Sequence, residues 1–299
     1  MHLPTVCIRP TGLHSTAMKR VESALRRTLP RGFVEVQRPR DAEIQFLHVI
    51  DRVNLNTMGQ QDVVIQYCLH TSAHPSPMEW QHVWDRAMTT WSYYDLSGYI
   101  PSHKFYHSPL GIDSVFRRTT PAALASHRDP YLVTTGYVTG PGAEAIEEVW
   151  NVAERMGIPG THFGPKNVQG SSRFVPKNWR QLERVSDDVV ATTMSSASHV
   201  VALRHTEGFE LPAAEGIACG ARAILFDQPT LRHWYGDSAI YLPECDGSRL
   251  ELALQIALEV SIGHRYYDLA ARRQLLDTMD WDKITTGLWD MVVRNYWGG

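Results

Sequence analysis

The sequence predicts an α/β protein made of two Rossmann-like domains, and three observations support this prediction. The chain has 299 residues, which is enough for two domains of about 150 residues each. Hydrophobic residues make up 43% of the chain and charged residues 20%, as is typical of a globular protein with a buried core. Short apolar runs also alternate with helical patterns, as expected for the strands and helices of parallel sheets.

The first half opens with the repeating unit of such a sheet. Residues 5–8 are predicted as a strand, Gly12 lies in the turn that follows, and 15–29 have helical periodicity. The other predicted elements of this half are strands at 33–36, 44–49 and 62–69 and a helix at 79–90. Functional residues collect at the carboxyl ends of strands in open α/β sheets, so Gly12 and His70 are candidate site residues. The alternative for His70 is a purely structural hydrogen-bonding role.

The second half repeats this organisation after a linker predicted at 117–129, where prolines interrupt regular structure. The predicted strands are 131–138, 161–163, 199–203 and 221–226. The predicted helices are 143–156, 179–185, 189–195, 212–219, 250–259, 266–279 and a last one that begins at Trp281.

Residues 203–227 are predicted to form a loop, a short helix and a buried strand. Pro212 suits the first turn of a helix, and Gly220 suits a left-handed residue that ends one. The amides of Phe209, Glu210 and Leu211 would then point out of a helix N-terminus, which is an anion site suited to phosphate. Two carboxylates, Glu207 and Glu215, frame this site and are suited to accept hydrogen bonds from sugar hydroxyls. The alternative is an ordinary loop with surface glutamates.

The same stretch resembles the C-terminal signature of glycosyltransferase family 4 (glycosyl transferases group 1), whose members have the GT-B fold. The residues in register with that signature are Glu207, Phe209, Leu211, Pro212, Glu215, Ala218, Cys219 and Gly220. Two positions depart from it, because Glu210 stands where the family has glycine and Gly216 where it has alanine. We expect Glu210 either to point outward or to change the donor.

A second stretch, residues 108–117, resembles the turn that closes the N-terminal domain of the family. Gly111, Asp113 and Phe116 are in register, whereas Leu110 replaces the usual asparagine. Residues 234–243 and the helix that begins at Trp281 continue the resemblance, which is thin before residue 60.

The resemblance implies a fold, a division into domains and a reaction. It implies a GT-B protein with an acceptor domain at 1–125, a nucleotide-sugar donor domain at 126–280 and a C-terminal helix at 281–299 that packs back on the first domain. The implied activity is retaining, metal-independent sugar transfer, with no cofactor and a UDP-sugar as the expected donor. Glu215 would bind the ribose, while Glu207 and His70 would contact the transferred sugar as catalytic residues.

The family also holds the donor diphosphate with an arginine and a lysine, and this sequence lacks both. It keeps the glycine, Gly136, but continues with Tyr137 and Val138. A diphosphate in a cleft of lowered dielectric needs a compensating charge. We expect Lys166, and next Arg204, to provide it, although each is equally suited to be a solvated surface charge.

Charge is unevenly distributed along the chain and bears on the acceptor. The net charge is −3, yet residues 1–40 hold eight basic side chains against two acidic ones. This cluster is a solvated helix face or a site for an anionic acceptor such as nucleic acid. The open alternatives are therefore a DNA-modifying, phage-type glycosyltransferase acting on a modified base and a non-catalytic nucleotide-sugar-binding GT-B protein, with a sugar epimerase or phosphorylase as a third. The sequence makes no prediction of the sugar or the oligomeric state.

Location and cysteine usage give further expectations. No run approaches the ~18 apolar residues of a membrane span, and the first residues lack the apolar core of a secretory signal, so we expect a cytoplasmic protein. Cys7, Cys68, Cys219 and Cys245 are scattered without a paired spacing. They indicate neither a disulfide framework nor a metal site, and we expect them to be buried apolar residues.

Overall fold

The computed structural model describes residues 3–9, 16–49, 58–67, 77–118, 128–136, 145–165, 175–205, 208–263 and 269–298. The chain divides into two compact units. One comprises Met1–Gly111 together with Thr278–Gly299, and the other comprises Ile112–Asp277. Most of the predicted linker lies outside the described residues.

The first unit is built on a six-stranded parallel sheet with the order β2-β1-β3-β4-β5-β6. Its strands are β1 (Thr5–Ile8), β2 (Val34–Glu35), β3 (Ile44–Val49), β4 (Val63–Gln66), β5 (Thr89–Ser92) and β6 (Phe105–His107). Its helices are α1 (Thr16–Arg27), α2 (Pro77–Arg86) and the C-terminal helix (Trp281–Gly298), with a short 3-10 turn at Pro39–Asp41. Strand β4 is buried along its whole length, as expected for a central strand covered on both faces.

The C-terminal helix belongs to the core of this first unit. Trp289 is fully buried, donates its indole N–H to the carbonyl of Leu25 at 3.1 Å, and packs on Phe46 with ring centroids 4.7 Å apart. Tyr106 donates to the carbonyl of Ile284 at 2.8 Å. Gly111 lies against Trp281, whose Cα would be 2.9 Å from a side chain at position 111. Glycine is therefore required at this turn.

The second unit contains another six-stranded parallel sheet, with the order β12-β11-β10-β7-β8-β9. Its strands are β7 (Leu132–Thr135), β8 (Gly160–Phe163), β9 (Trp179–Leu182), β10 (His199–Ala202), β11 (Arg222–Phe226) and β12 (Ala239–Leu242). Its α-helices are α3 (Ile146–Met156), α4 (Asp187–Ser196), α5 (Leu211–Cys219), α6 (Pro229–Tyr235), α7 (Gly247–Gly263) and α8 (Leu269–Thr278). Two short 3-10 turns lie at Phe116–Arg118 and Gly236–Ser238.

Helices cover both faces of this second sheet. Helices α3 and α7 pack on one face through a cluster that includes Val149, Leu254 and Val201. Helix α5 packs on the opposite face against β10 and β11, where Gly216 meets Val200. Val200 and Val201 are consecutive and fully buried, as expected when side chains alternate across a strand. The predicted α/β class with two Rossmann-like sheets is confirmed.

Two segments predicted as helical contain strands. Residues 179–185 hold strand β9, and the stretch predicted as helix 79–90 ends at Arg86, after which Thr89–Ser92 forms β5. In β9, Trp179 is buried and donates its indole N–H to the carbonyl of Ile158 at 3.1 Å. Pairing with the neighbouring strand therefore outweighs the weak helical periodicity of these short segments.

Burial of the cysteines follows the prediction in part. Cys7 and Cys219 are buried free thiols, and Cys245 is half-buried, while Cys68 lies outside the described residues. Burial raises the pKa of the Cys219 thiol from 9.0 to about 11, which makes it inert. Among the helices in the described parts of the chain, none combines the length and apolar character needed to cross a membrane.

Candidate functional site

The sheet of the second unit has a topological switch point between β7 and β10. From β7 the chain continues to β8 and β9 on one side, whereas from β10 it continues to β11 and β12 on the other. In open parallel sheets, ligands bind in the crevice at the carboxyl ends of the two strands where the order reverses. This end of the sheet is therefore the candidate functional site.

Two predicted site residues lie at this point. Gly136 directly follows β7 with a φ of 98°, a left-handed conformation that favours glycine, and its N–H donates to the carbonyl of Phe163 at 3.1 Å. Arg204 lies two residues beyond the end of β10. Both neighbouring strands thus deliver a predicted residue to the same edge.

Helix α5 begins at this edge, so the backbone amides that are predicted to bind phosphate lie there. It runs from Leu211 to Cys219, with Glu210 as the residue before it and Pro212 in its first turn. Gly220 ends the helix with a φ of 90°, as predicted. The first amides of a helix have no partner within the helix and carry the positive end of its dipole. The start of α5 is therefore suited to an anionic group.

A network of contacts holds the start of α5 in place. The hydroxyl of Tyr235, at the end of α6, donates to the carbonyl of Glu210 at 2.6 Å. The Tyr235 ring lies 5.6 Å from that of Phe209, and both rings are buried. The carbonyl of Glu210 also accepts from Ala213 N at 3.0 Å and Ala214 N at 3.2 Å. These bonds fix the backbone at residue 210.

The far end of α5 is held by two guanidinium groups. Arg272 of α8 donates through Nε and Nη2 to the carbonyl of Ala218, at 3.0 and 2.6 Å. Arg128 donates to the carbonyl of Cys219 at 3.2 Å. Cations at a helix C-terminus complement the negative end of the dipole. Both ends of α5 are thus anchored to neighbouring elements.

Gly216 has a packing role in this arrangement. A Cβ atom at residue 216 would lie 2.5 Å from Cγ2 and 2.8 Å from Cβ of Val200, too close for any carbon pair. Glycine therefore lets α5 approach β10 closely. Packing against Val200 therefore explains the departure from the family's alanine at this position.

Both carboxylates in the described part of the α5 stretch are buried. Glu215 lies in the second turn of α5 and is 6% exposed, and the side chain of Glu210 is 1% exposed. Carboxylates are almost never this deeply buried without partners. Of the two expectations for Glu210, that it points outward or that it changes the donor, the first is therefore wrong, because its side chain is buried.

One interaction of the Glu210 carboxylate within the described residues is with Arg204. Arg204 Nε lies 3.7 Å from Glu210 Oε1, and the Arg204 side chain is 26% exposed. The pair joins the carboxyl end of β10 to the start of α5. Both residues are predicted separately as site residues, but their pairing was not predicted.

A second cluster that sequence analysis missed ties the same loop to the ends of β11 and β12. The ring of His205 packs on Phe226 at 4.6 Å. Its Nδ1 lies 3.0 Å from Glu244 Oε1, and its Nε2 lies 2.9 Å from Asp246 Oδ1. The position of His205 directly after a strand end was the available signal. This cluster anchors the segment that leads in sequence to Glu207.

Two histidines of this sheet are buried and neutral. Burial lowers the pKa of His162 from 6.5 to about 4, and burial with a smaller contribution from Arg222 does the same for His199. Nδ1 of His162 lies 3.0 Å from Thr134 Oγ1, and Nε2 of His199 lies 2.9 Å from Ser261 Oγ. Both are structural histidines of the sheet.

Four predicted site residues lie outside the described residues: Gly12, His70, Lys166 and Glu207. The other six predicted site residues lie at one end of the second unit: Gly136, Arg204, Phe209, Glu210, Leu211 and Glu215.

Comparison with known proteins identifies the fold. No family model and no curated protein matches the sequence. Solved structures match over the whole chain: sucrose-phosphate synthase from Thermosynechococcus elongatus (TM-score 0.73, 12% identity, 100% of both chains) and a glycosyltransferase from Rickettsia africae (TM-score 0.72, 10% identity, 100% of both chains). HepE from Anabaena in complex with UDP-glucose matches with a TM-score of 0.67 and 10% identity, over 98% of this chain and 100% of that one.

These neighbours share the two-sheet architecture described above, so the chain has the GT-B fold of glycosyltransferases, as the resemblance implied. At 10–12% identity the likeness shows the fold alone.

Proposed function

We propose that this protein is a retaining glycosyltransferase that moves a sugar from a nucleotide-sugar donor, expected to be a UDP-sugar, to an acceptor. The observation that carries the proposal is the start of α5 at the switch point between β7 and β10. Helix amides there are suited to a diphosphate. The proposal is supported by structures of the same fold that contain UDP-glucose, or UDP with a sugar.

Each residue of the site has a proposed role. The amides of Phe209, Glu210 and Leu211 stabilise the charge that grows on the leaving diphosphate, which is usually the largest contribution to catalysis. Glu215 accepts hydrogen bonds from the ribose hydroxyls. Glu207 contacts the transferred sugar and stabilises positive charge at its anomeric carbon.

The other predicted residues also have proposed roles. Arg204 and Lys166 are the proposed cations for the diphosphate, and Gly136 gives the backbone close access to it. Gly12 is a proposed donor-binding residue, and His70 is a proposed catalytic residue. Metal-independent transfer, in which the departing phosphate takes the acceptor proton, is part of the same proposal and follows from the resemblance.

The proposed acceptor site is in the first unit, and the basic cluster bears on it. Part of that cluster is neutralised internally, because Arg26 pairs with Glu22 at 3.3 Å and Glu35 at 2.8 Å, and Arg27 with Asp282 at 2.6 Å. Arg31 and Arg38 remain exposed. An anionic acceptor, including DNA with a modified base, predicts activity that falls steeply with salt. Activity that is insensitive to salt indicates a neutral acceptor.

The test is release of nucleoside diphosphate from a panel of UDP-, GDP- and ADP-sugars, with and without candidate acceptors. Glu207→Ala is expected to abolish release. Glu259→Ala is the matched control, because this exposed glutamate lies far from the edge of the sheet where the site is. Helix α7 begins after the carboxyl end of β12 at that edge, and Glu259 lies 12 residues further along the helix, or about 18 Å. Binding of a nucleotide-sugar without any turnover would favour the non-catalytic alternative. The proposal would be refuted if no donor in the panel showed either binding or turnover.

A further inference from the structure

Glu210 departs from the family signature at the start of α5, the proposed phosphate site. Its backbone is fixed by Tyr235 and by the first turn of α5, and its side chain is 1% exposed. Glu210 is therefore held at the start of α5, whose amides are the proposed diphosphate site. Its Oε1 lies 3.7 Å from Nε of Arg204, which pairs an acidic with a basic side chain at the anion site.

We propose that Glu210 is a specificity-determining residue that lets the site discriminate by charge between an intact nucleotide-sugar and the free nucleoside diphosphate, and so favours release of the product. The inference rests on the proposed function. Near neutral pH a free nucleoside diphosphate carries roughly three negative charges, because its terminal phosphate ionises a second time near pH 6. In a nucleotide-sugar that oxygen is esterified, so the donor carries one negative charge fewer.

The pair of Arg204 and Glu210 affects ligands of different charge to different extents. Arg204 alone would attract every anion at the start of α5, and more strongly the more charged the anion. A carboxylate next to it offsets that attraction, and the offset is larger for the ligand with the additional charge. Burial strengthens the effect, since a charge that is 1% exposed is screened much less by salt than a surface charge.

The test compares binding of UDP and UDP-glucose by calorimetry, with GDP and GDP-mannose or ADP and ADP-glucose used instead if the donor screen selects them. Glu210→Gln keeps the shape of the side chain and removes its charge. It is expected to tighten UDP about tenfold and UDP-glucose only about four- to fivefold, because the change in binding free energy scales with the charge of the ligand, roughly three for UDP and two for UDP-glucose. Glu210→Gly, which places the family's residue at this position, is expected to shift the ratio of the two affinities in the same direction.

A charge-removal cycle makes the test specific. Arg204→Gln is expected to weaken UDP binding, and to weaken it more in the Glu210→Gln background, where the carboxylate no longer offsets the guanidinium. Unchanged affinity for both ligands in Glu210→Gln, or weaker binding of both, would overturn the inference while leaving the proposed function standing. If neither the native protein nor any variant binds a nucleotide, the proposed function fails, and this inference fails with it.

Discussion

Replacing Gly216 by alanine tests whether the close approach of α5 to β10 positions the site. In an exposed helix, this change stabilises a protein by roughly 0.5–1 kcal/mol, because alanine has the higher helix propensity. Here the new Cβ would lie 2.5 Å from Cγ2 and 2.8 Å from Cβ of Val200, and Val200 is fully buried. Overpacking a tight core costs about 1–3 kcal/mol. We therefore expect a net loss of about 1–2 kcal/mol.

The measurement is urea unfolding followed by circular dichroism. Gly98→Ala is the matched control, since a Cβ at that position meets no atom within 4 Å, and its effect is expected within about 0.5 kcal/mol. Val200→Ala removes Cγ2, the nearest of the clashing atoms, and leaves Cβ in place, so the double variant is expected to be more stable than the sum of the single effects by about 0.5–1 kcal/mol. A stabilised Gly216→Ala protein, or strictly additive effects, would refute the reasoning.

Three further predictions concern the supports of the site. Arg272→Ala removes the donors to the Ala218 carbonyl at the end of α5 and is expected to cost about 2–3 kcal/mol in urea unfolding; an effect below 0.5 kcal/mol would contradict the anchoring role. Tyr235→Phe keeps the ring but loses the bond to the Glu210 carbonyl, and we expect a loss of about 1 kcal/mol together with weaker nucleotide binding in calorimetry. The third prediction concerns pH. The pKa of His199 is lowered from its ordinary value of 6.5 to about 4 in the folded protein, so between pH 4 and pH 6.5 the unfolded state binds a proton that the folded state does not. Stability is then full above about pH 6.5 and falls, by up to about 3 kcal/mol for this group, as the pH approaches 4. His199→Gln should remove the share of this slope that His199 contributes and leave the share of His162, whose pKa is lowered to the same value. An unchanged slope would show that His199 does not contribute.

The central elements of the second unit were predictable because their local signals agree with the fold. Pro212 marks the first turn of α5, Gly220 ends the helix in the left-handed conformation, and the apolar run that follows forms β11. Each of these signals acts within a few residues. Sequence reasoning therefore located the start of α5, and with it most of the described part of the candidate site.

The parts that failed depend on contacts between residues distant in sequence. Strand β9 was predicted as helix because a four-residue strand is too short for a reliable period, and its pairing with β8 decides its conformation. The interaction of Arg204 with Glu210 and the clamp of His205 by Glu244 and Asp246 depend on how loops are folded over the edge of the sheet. The close approach behind Gly216 likewise requires the packing of α5 on Val200 to be known.

The measurement that tests the account most directly is a thermal-shift screen of the purified protein against UDP, GDP, ADP and their sugars. A ligand that binds only the folded state raises the Tm by mass action. The account predicts a clear rise with one nucleotide class, lost in Glu215→Ala and retained in the control Glu259→Ala. No shift with any nucleotide, or a shift that survives Glu215→Ala unchanged, would contradict a donor site at the start of α5.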